Sequence, residues 1–243
     1  MTTDQKVALV TGANKGIGKA VCRQLADLGM VVLATARDAD RGRAAVADLV
    51  AGGGDVRFVR LDVTAEDTVR AVAEHVAAEF GRLDLLINNA GVTGVTPGRR
   101  RPLDEVTVQD LRDTLETNFV GVFAVTQALL PLLRGSGGRI VNLTSTLSSF
   151  ARVADGPPPA DLIPYCTAKA ATNLLSVMYA GLLRDSGVTA CAVSPGFVAT
   201  DMNNFTGPKT VEEGAEVVVR YATAAPEDLP DRAFLTGTGT HPW

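Results

Sequence analysis

The sequence has little cysteine, little histidine and no long apolar run. Its three cysteines follow no Cys-x-x-Cys spacing, which disfavours both a disulfide framework and a thiolate metal site. The two histidines, His75 and His241, are expected on a surface helix and near the chain end rather than on a shared metal. We therefore expect no metal cofactor and a reducing compartment, the cytoplasm.

Apolar segments long enough for export or membrane insertion are also missing. Residues 1–6 are followed by only four apolar residues, Val7 to Val10, which is too short for a secretory signal peptide. The longest apolar stretch, 119–133, is interrupted by Thr126, Gln127 and Pro131 and falls short of the roughly 20 residues that span a bilayer. We expect this stretch to form a buried helix and the protein to have no membrane partner.

The chain carries little excess charge of either sign. Its 23 basic and 27 acidic side chains leave a net charge of −4, so there is no broad positive surface for nucleic acid.

A length of 243 residues suits one domain with one core, so we expect residues 1–243 to form a single domain. The segment 156–160, Gly-Pro-Pro-Pro-Ala, is too short to join two domains and is expected to be a stiff surface loop.

Short β-branched segments alternate with longer segments of helical periodicity. Strands are predicted at 6–10, 30–34, 56–61, 83–88, 139–143, 188–193 and 232–235. Helices are predicted at 17–28, 40–51, 69–80, 104–134, 165–185 and 211–224. Such alternation requires long crossovers and parallel pairing, and a parallel sheet must be covered on both faces. The predicted fold is therefore α/β: a doubly wound parallel sheet of about seven strands in a three-layer α/β/α sandwich.

A glycine-rich turn follows the first predicted strand and leads into the first helix. Its residues are Gly12, Ala13, Asn14, Lys15, Gly16, Ile17 and Gly18. Glycines permit positive φ and close backbone approach to a pyrophosphate, and the helix N-terminus offers free N–H groups. This position favours a dinucleotide site, the alternative being a purely structural tight turn.

The end of the second strand bears on the choice of dinucleotide. NAD enzymes place a carboxylate there to bind the ribose hydroxyls, whereas this chain has Ala36 and then Arg37. Lys15 is a second cation near the same point, so the two side chains are suited to a 2′-phosphate. The sequence thus favours NADPH/NADP+, although ordinary solvated cations beside Asp38 are the alternative.

Seven separated motifs resemble the short-chain dehydrogenase/reductase family over essentially the whole chain. They are Thr11-Gly12-x-x-x-Gly16-x-Gly18, Asp62-Val63, Asn88-Asn89-Ala90-Gly91, Asn118, Ser145, Tyr165-x-x-x-Lys169 and Pro195-Gly196. The resemblance implies a Rossmann fold and an oxidoreductase. Within the family, the features most similar to NADPH-dependent carbonyl reductases are Asn14-Lys15, Thr35 to Asp38, Arg41-Gly42, Gly207-Pro208-Lys209 and Trp243. The twenty positions from Ser145 to Tyr165 lie between the short spacing of typical members and the longer insertion of the vertebrate-type enzymes.

Tyr165 and Lys169 are four residues apart on a predicted helix and so share one face. We expect the ammonium, together with the cationic nicotinamide of the oxidised cofactor, to favour the phenolate of a tyrosine whose ordinary pKa is about 10. In reduction the phenol would donate a proton to the carbonyl oxygen, and Ser145 would hydrogen-bond the same oxygen. The alternatives are a packed aromatic beside a solvated lysine, and a serine that caps a turn.

The resemblance implies further roles for individual residues. Lys169 would also bind the nicotinamide ribose, and Asn118 would anchor a water that relays protons. The cofactor contacts that it implies are Asp62 and Val63 at the adenine, Asn89, Ala90 and Gly91 along the adenosine ribose and backbone, and Pro195, Gly196, Val198 and Thr200 around the carboxamide. Asp62 as a cap of the following helix stays open as the alternative.

The substrate pocket is expected from segments 93–102, 146–164 and 197–213, beyond the carboxyl ends of the strands. The apolar side chains in these segments are Phe150, Leu162, Ile163, Phe197, Met202 and Phe205. They favour a hydrophobic small-molecule substrate contacted by Ser145, Tyr165, Phe197 and Met202, with residues 201–213 as a lid. Arg99, Arg100 and Arg101 would attract an acidic substrate or form a solvated loop.

The expected activity is NADPH-dependent reduction of a ketone, aldehyde or quinone. A biosynthetic ketoreductase or alcohol dehydrogenase of the same family is the alternative, and a non-catalytic NADPH-binding regulator is the remote one. Family members associate through the helices that carry Asn118 and Tyr165, and an insertion before the tyrosine can cover that surface. Monomer and homo-oligomer therefore both stay open.

Overall fold

The computed structural model describes residues 5–95 and 100–243. Its strands are β1 (Val7–Val10), β2 (Val31–Ala36), β3 (Val56–Arg60), β4 (Leu85–Asn88), β5 (Arg139–Leu143), β6 (Thr189–Val193), β7 (Phe234–Thr236) and β8 (Gly239–His241). Its α-helices are α1 (Gly16–Asp27), α2 (Ala39–Ala51), α3 (Glu66–Glu79), α4 (Val108–Leu115), α5 (Gly121–Ser136), α6 (Phe150–Asp155), α7 (Ile163–Leu182) and α8 (Val211–Thr223).

The strands form one sheet in the order β3-β2-β1-β4-β5-β6-β7-β8. All neighbouring strands are parallel except β7 and β8, which form an antiparallel pair. The doubly wound fold predicted from the sequence is confirmed, but the eighth strand was not predicted because only three residues pair after the turn. The chain winds in opposite directions from β1 and β4, so a crevice opens between their carboxyl ends.

Apolar residues fill both faces of the sheet. Ala8 and Val10 of β1 face a core shared with α1 and α8, whereas Val7 and Leu9 face a core shared with α3, α5 and α7. Successive side chains of a strand point to opposite faces, so a strand that is apolar at every position must be covered on both. This arrangement gives the three layers expected from the sequence.

The predicted helix over 104–134 is divided in the structure. Helices α4 and α5 are joined by a π-helical turn over Glu116–Val120, which contains Asn118. The Thr172 hydroxyl of α7 donates a hydrogen bond of 2.9 Å to the Asn118 carbonyl. Single π-helical turns often accompany functional residues, and this one turns Asn118 into the protein interior.

The stretch Val108–Ser136 is long and apolar enough to cross a membrane by length and composition alone. In the fold it packs with α3 and α7 against the sheet, and Val125, Leu129 and Leu133 of α5 are fully buried. The opposite face of α5 stays in contact with solvent at Phe123. The expected buried helix is thus buried on one face only, as in the core helix of a globular domain.

Residues 144–164 contain more structure than the surface loop predicted at 156–160. They include α6 and 3₁₀ turns at Thr146–Ser148 and Ala160–Leu162, with irregular chain at 144–145, 149 and 156–159. Apolar side chains on α5 and α7 stay exposed despite this segment: Phe123, Leu174, Met178 and Leu182. The segment therefore leaves these side chains uncovered, and both oligomeric alternatives stay open.

Candidate active site

A cavity of about 580 Å³ lies in the crevice at the carboxyl ends of β1 and β4. Most of the residues selected from the sequence line it: Gly12, Asn14, Lys15, Gly16, Ile17, Gly18, Arg37, Asp62, Val63, Asn89, Ala90, Gly91, Tyr165, Lys169, Pro195, Thr200 and Met202. These residues come from seven separate segments of the chain. The topology therefore brings the glycine turn and the Tyr165–Lys169 pair into one cleft.

The glycine turn is shaped by close backbone packing. Gly12 has a φ of 64°, and a Cβ placed on it would lie 2.9 Å from Ala90 Cα. A Cβ on Gly18 would lie 2.5 Å from Asn89 Nδ2 and 2.6 Å from the Gly12 carbonyl oxygen. Helix α1 then begins at Gly16 without a side-chain acceptor on its first N–H groups. The turn thus presents free N–H donors at a helix N-terminus, the arrangement that binds phosphate anions.

Thr11 and Asn89 hold this turn in place. The Thr11 hydroxyl accepts hydrogen bonds of 2.9 Å from the N–H groups of Asn89 and Ala90. The Asn89 amide donates to the carbonyls of Thr11 and Gly12 at 2.8 and 3.0 Å. Sequence reasoning assigned no role to Thr11, although its position directly before the first glycine was the available indication.

The end of β2 presents basic side chains without a free carboxylate. Arg37 is exposed at the cleft, and Arg41 of α2 lines the cleft as well. Asp38 instead caps α2, accepting from the N–H groups of Asp40 and Arg41 at 3.1 and 3.0 Å. These backbone hydrogen bonds, that of Arg41 foremost, hold the pKa of Asp38 below its ordinary value. Asp38 is therefore engaged by its own helix.

Lys15 has a partner that the sequence analysis did not foresee. Its ammonium forms an ion pair and hydrogen bond with the carboxylate of Asp201, which follows Thr200 in the expected lid. The hydrogen bond from Lys15 holds the pKa of Asp201 below its ordinary value. The cation assigned to a 2′-phosphate thus contacts the far wall of the cleft in this structure.

Asp62 and Val63 lie in the cleft wall after β3. The Asp62 carboxylate accepts from the N–H and hydroxyl of Thr64 at 3.0 and 2.7 Å. Helix α3 is preceded by Ala65 and has no side-chain cap. The alternative role of Asp62 as the helix cap is therefore wrong, because Asp62 lies three residues before the N-cap position and its carboxylate closes a turn with Thr64 instead.

Asn118 faces a loop of the cleft rather than the cavity itself. Its amide pairs with the backbone of Val92, accepting from the N–H at 2.8 Å and donating to the carbonyl at 2.7 Å. A Cβ on Gly91 would lie 3.1 Å from Asn118 Oδ1 and 3.5 Å from Lys169 Nζ. Asn118 thereby fixes the chain beside Lys169, and its role toward water stays a prediction.

The group formed by Tyr165, Lys169 and Ser145 lies at the carboxyl end of β5. Lys169 is buried and donates a hydrogen bond of 2.7 Å to the Leu143 carbonyl, with Nζ 5.9 Å from the centroid of the Tyr165 ring. Burial raises the pKa of Tyr165 to about 12, and a hydrogen bond with Ser145 acts in the opposite direction. Burial also lowers the pKa of Lys169 to about 8.

The expectation that Lys169 and the cationic nicotinamide of the oxidised cofactor together favour the phenolate stays a prediction. In the protein alone, the Lys169 ammonium lies toward the Tyr165 ring and donates to the Leu143 carbonyl. Loss of hydration therefore dominates, and the phenol keeps its proton at neutral pH. Ser145 combines two of the roles considered, since its hydroxyl also accepts from the Leu147 N–H at 3.2 Å as the cap of a 3₁₀ turn.

Three residues after β6 lie outside the lining of the cavity. Val198 is buried against α8, where a Cβ on Gly214 would lie 2.6 Å from Val198 Cγ2. Gly196 has a φ of 97° and packs beside the Lys209 side chain. Phe197 is exposed outside the cavity lining. The Val198 side chain therefore anchors the chain beneath the cleft, and the contact of this residue with the carboxamide stays a prediction.

The arginine run does not form a free basic patch. Arg99 lies outside the described residues. Arg100 pairs with the buried Asp161 at 3.4 Å, and Arg101 pairs with Asp110 at 2.9 Å. These two cations tie their loop to neighbouring segments, which disfavours recruitment of an acidic substrate by them.

The comparisons with known proteins agree with this site. Residues 6–211 match the model of the short chain dehydrogenase family. Carbonyl reductase [NADPH] 1 of Rattus norvegicus is 34% identical and covers 100% of both chains, and the 3-oxoacyl-[acyl-carrier-protein] reductase of a Synechocystis strain is 35% identical over 96% of this chain and 93% of its own. The NADPH-bound carbonyl reductase structure from chicken fatty liver superposes with a TM-score of 0.84 at 28% identity, covering 98% of this chain and 99% of the other. The chain belongs to the short chain dehydrogenase family of oxidoreductases.

Proposed function

We propose that this chain reduces the carbonyl of a hydrophobic ketone, aldehyde or quinone to the alcohol with NADPH. One observation carries the proposal. Tyr165 and the buried Lys169 line one end of a cleft, with Ser145 following Thr144 of the same lining, and the other end of the cleft has the glycine turn with Lys15 and Arg37. Two relatives named above are described as NADPH enzymes, which supports the same cofactor here.

The residues present fit a phosphorylated dinucleotide. A side chain at Gly12 or Gly18 would collide with Ala90 or Asn89 and so distort the turn, and the N–H groups at the start of α1 have no side-chain cap and can bind a pyrophosphate. Arg37 and Lys15 supply positive charge for a 2′-phosphate. NADPH supplies the hydride when bound, and Lys169 holds the nicotinamide ribose.

Tyr165 supplies the proton for the reduction. Its raised pKa keeps the phenol protonated at neutral pH, so it donates to the carbonyl oxygen as negative charge develops there. Ser145 donates a hydrogen bond to the same oxygen and orients it. Asn118 holds the loop at Val92 beside Lys169. It also anchors a water that relays protons to solvent.

The substrate end of the cleft favours apolar compounds. Met202 lines the cavity. Within the expected substrate segments, Phe150, Phe197 and Phe205 lie outside the lining and are exposed, so they are available to contact a substrate that extends beyond the cavity. Residues 201–213 serve as a lid that excludes water during the reaction. The proposal takes residues 1–243 as one domain in the cytoplasm, with free thiols at Cys22, Cys166 and Cys191.

A biosynthetic ketoreductase is the second candidate. The Synechocystis relative is named as a 3-oxoacyl-[acyl-carrier-protein] reductase and is as similar to this chain as the rat carbonyl reductase. The chemistry at Tyr165 would be the same, and only the substrate would differ. A non-catalytic regulator is disfavoured because the whole catalytic group is present.

The test uses purified protein, NADPH and a panel of aromatic ketones, quinones and acetoacetyl thioesters. Tyr165→Phe should lower turnover by about 10² to 10⁴ because the proton donor is lost. Tyr179→Phe is the matched control, since Tyr179 is a second buried tyrosine of α7 whose hydroxyl accepts from Gln127 at 2.9 Å outside the cleft.

The substrate ranking separates the two candidates. Faster turnover of quinones and aromatic ketones supports the carbonyl reductase, and faster turnover of the thioesters supports the ketoreductase. Retained turnover in Tyr165→Phe would overturn the mechanism for both. Tight NADPH binding without turnover of any carbonyl would support the alternative of a non-catalytic NADPH-binding regulator.

A further inference from the structure

A buried amide lies on the catalytic helix beyond the two residues already described. Asn173 follows Tyr165 and Lys169 at successive intervals of four residues, so the three side chains lie along one face of α7. Only 4% of its surface is exposed, and its Oδ1 has no hydrogen-bond partner in the described part of the chain. Burying an amide oxygen without a hydrogen bond costs free energy of folding, so the hydrogen bond that the Asn173 Nδ2 does make is important for keeping this side chain in place.

The Asn173 amide reaches the catalytic serine through one intermediate. Its Nδ2 donates a hydrogen bond of 3.0 Å to Ser148 Oγ. Ser148 Oγ in turn donates to the carbonyl oxygen of Ser145 at 2.5 Å, and the Ser148 N–H donates to the same oxygen at 2.9 Å. The 3₁₀ turn that follows Ser145 is thus joined to α7 by a continuous chain of hydrogen bonds, of which the one between Asn173 and Ser148 is buried.

A second connection runs in parallel from Thr144. Its hydroxyl donates to the Lys169 carbonyl at 3.3 Å and lies 3.2 Å from the hydroxyl of Ser148. Ser148 is therefore the point where both connections meet. Because Thr144, Ser148 and Asn173 are buried, their hydrogen bonds act in a low-dielectric environment and restrict the turn at the half-buried Ser145.

We propose that Asn173 is a positioning residue for carbonyl reduction, fixing the Ser145 turn through Ser148 to the helix that carries Tyr165. The inference rests on the proposed function, in which Ser145 and Tyr165 contact one substrate oxygen. Ser145 and Tyr165 lie on separate segments, so both can donate to one substrate oxygen only if the turn and the helix keep a fixed relative position. A displacement of about 1 Å at such a site costs about a hundredfold in rate.

The chain offers a matched control on the same helix. Ser176, three residues beyond Asn173, accepts a hydrogen bond of 2.9 Å from Asn142 Nδ2 and so also joins α7 to the β5 region. Both Asn142 and Ser176 are buried, but neither contacts the Ser145 turn. Ser176→Ala therefore removes a comparable buried hydrogen bond without touching the proposed connection.

The experiment compares Asn173→Ala, Ser148→Ala, the double variant and Ser176→Ala. We expect kcat to fall about tenfold or more in either single variant of the connection, with the NADP+ Kd within about twofold of the original value. The double variant should lose no more than the single ones, because both interrupt the same chain. Ser176→Ala should keep its kcat even where its thermal midpoint falls equally.

Amide hydrogen exchange of residues 145–149 gives a readout that needs no turnover. The Leu147 and Ser148 amides should exchange faster in Asn173→Ala and Ser148→Ala than in Ser176→Ala of equal stability, because the turn is released. Unchanged exchange, or additive losses of kcat, would overturn the proposal. If Asn173→Ala does not fold, Ser148→Ala carries the test.

The two proposals fail in different ways. A faster-exchanging turn in a protein that reduces no carbonyl would overturn the proposed function. A faster-exchanging turn with an unchanged kcat would overturn the positioning role of Asn173 and leave the proposed function standing.

Discussion

The Lys15 ammonium and the Asp201 carboxylate form an ion pair that joins the two walls of the cleft. Lys15 is the residue before α1 in the glycine turn, and Asp201 begins the 3₁₀ turn capped by Thr200. Both side chains are more than half exposed, so the pair is weak and exchangeable. A 2′-phosphate would compete with Asp201 for the same ammonium.

Asp201→Asn should therefore strengthen the binding of NADP+ about two- to fivefold at low ionic strength, since Lys15 is released and one negative charge is removed. Titration calorimetry with NADP+ and 2′,5′-ADP measures the effect. High salt should abolish the difference. Asp48→Asn, which removes the exposed Lys19–Asp48 pair at 2.6 Å, is the control and should leave both affinities unchanged.

Arg37→Asp should weaken NADPH far more than NADH. A carboxylate at this position repels the 2′-phosphate and accepts from the ribose hydroxyls of NADH. We expect the affinity for NADPH to fall about a hundredfold, because the substitution removes a favourable charge contact with the phosphate and replaces it with a repulsive one. Fluorescence titration with both cofactors measures it, and Arg43→Asp, an exposed site outside the cleft, is the control. Equal losses for both cofactors would show that Arg37 does not contact the phosphate.

Gly18→Ala should damage both the fold and the cofactor site. The added methyl would approach Asn89 and the Gly12 carbonyl within 2.6 Å, which forces the backbone apart. We expect the free energy of unfolding to fall by about 1 to 3 kcal/mol, with a large loss of cofactor affinity. Gly135→Ala in α5 has open space around it and should be neutral or stabilising in denaturant unfolding. Unchanged cofactor affinity in Gly18→Ala would contradict the role of the glycine turn in binding the cofactor.

The burial of Lys169 makes the stability of the protein depend on pH. Its pKa falls from 10.5 to about 8 on folding, so the unfolded chain binds more protons between these values. The free energy of unfolding should therefore rise with pH across this window relative to Lys169→Met, which cannot titrate. Chemical denaturation from pH 7 to 10.5 tests the sign. A difference that stays constant with pH would show that burial does not shift this lysine.

Much of the fold follows from local pattern. Alternating apolar strands and amphipathic helices predicted a doubly wound sheet and the parallel pairing of its first seven strands, because long crossovers allow little else. The missed β8 is a three-residue strand whose pairing depends on β7 being in place. The break in the predicted helix 104–134 depends likewise on Thr172, a residue far along the chain.

The sequence by itself determined which residues line the cleft, since parallel strands bring their carboxyl-end loops to one edge and the motifs lie in those loops. The tertiary structure alone decided how those residues are engaged. Burial set the direction of the Tyr165 pKa, the ion pair with Asp201 occupied Lys15, and the Val198 side chain packed against Gly214. Hydration and contacts between distant segments exist only after folding, so no local pattern of residues encodes them.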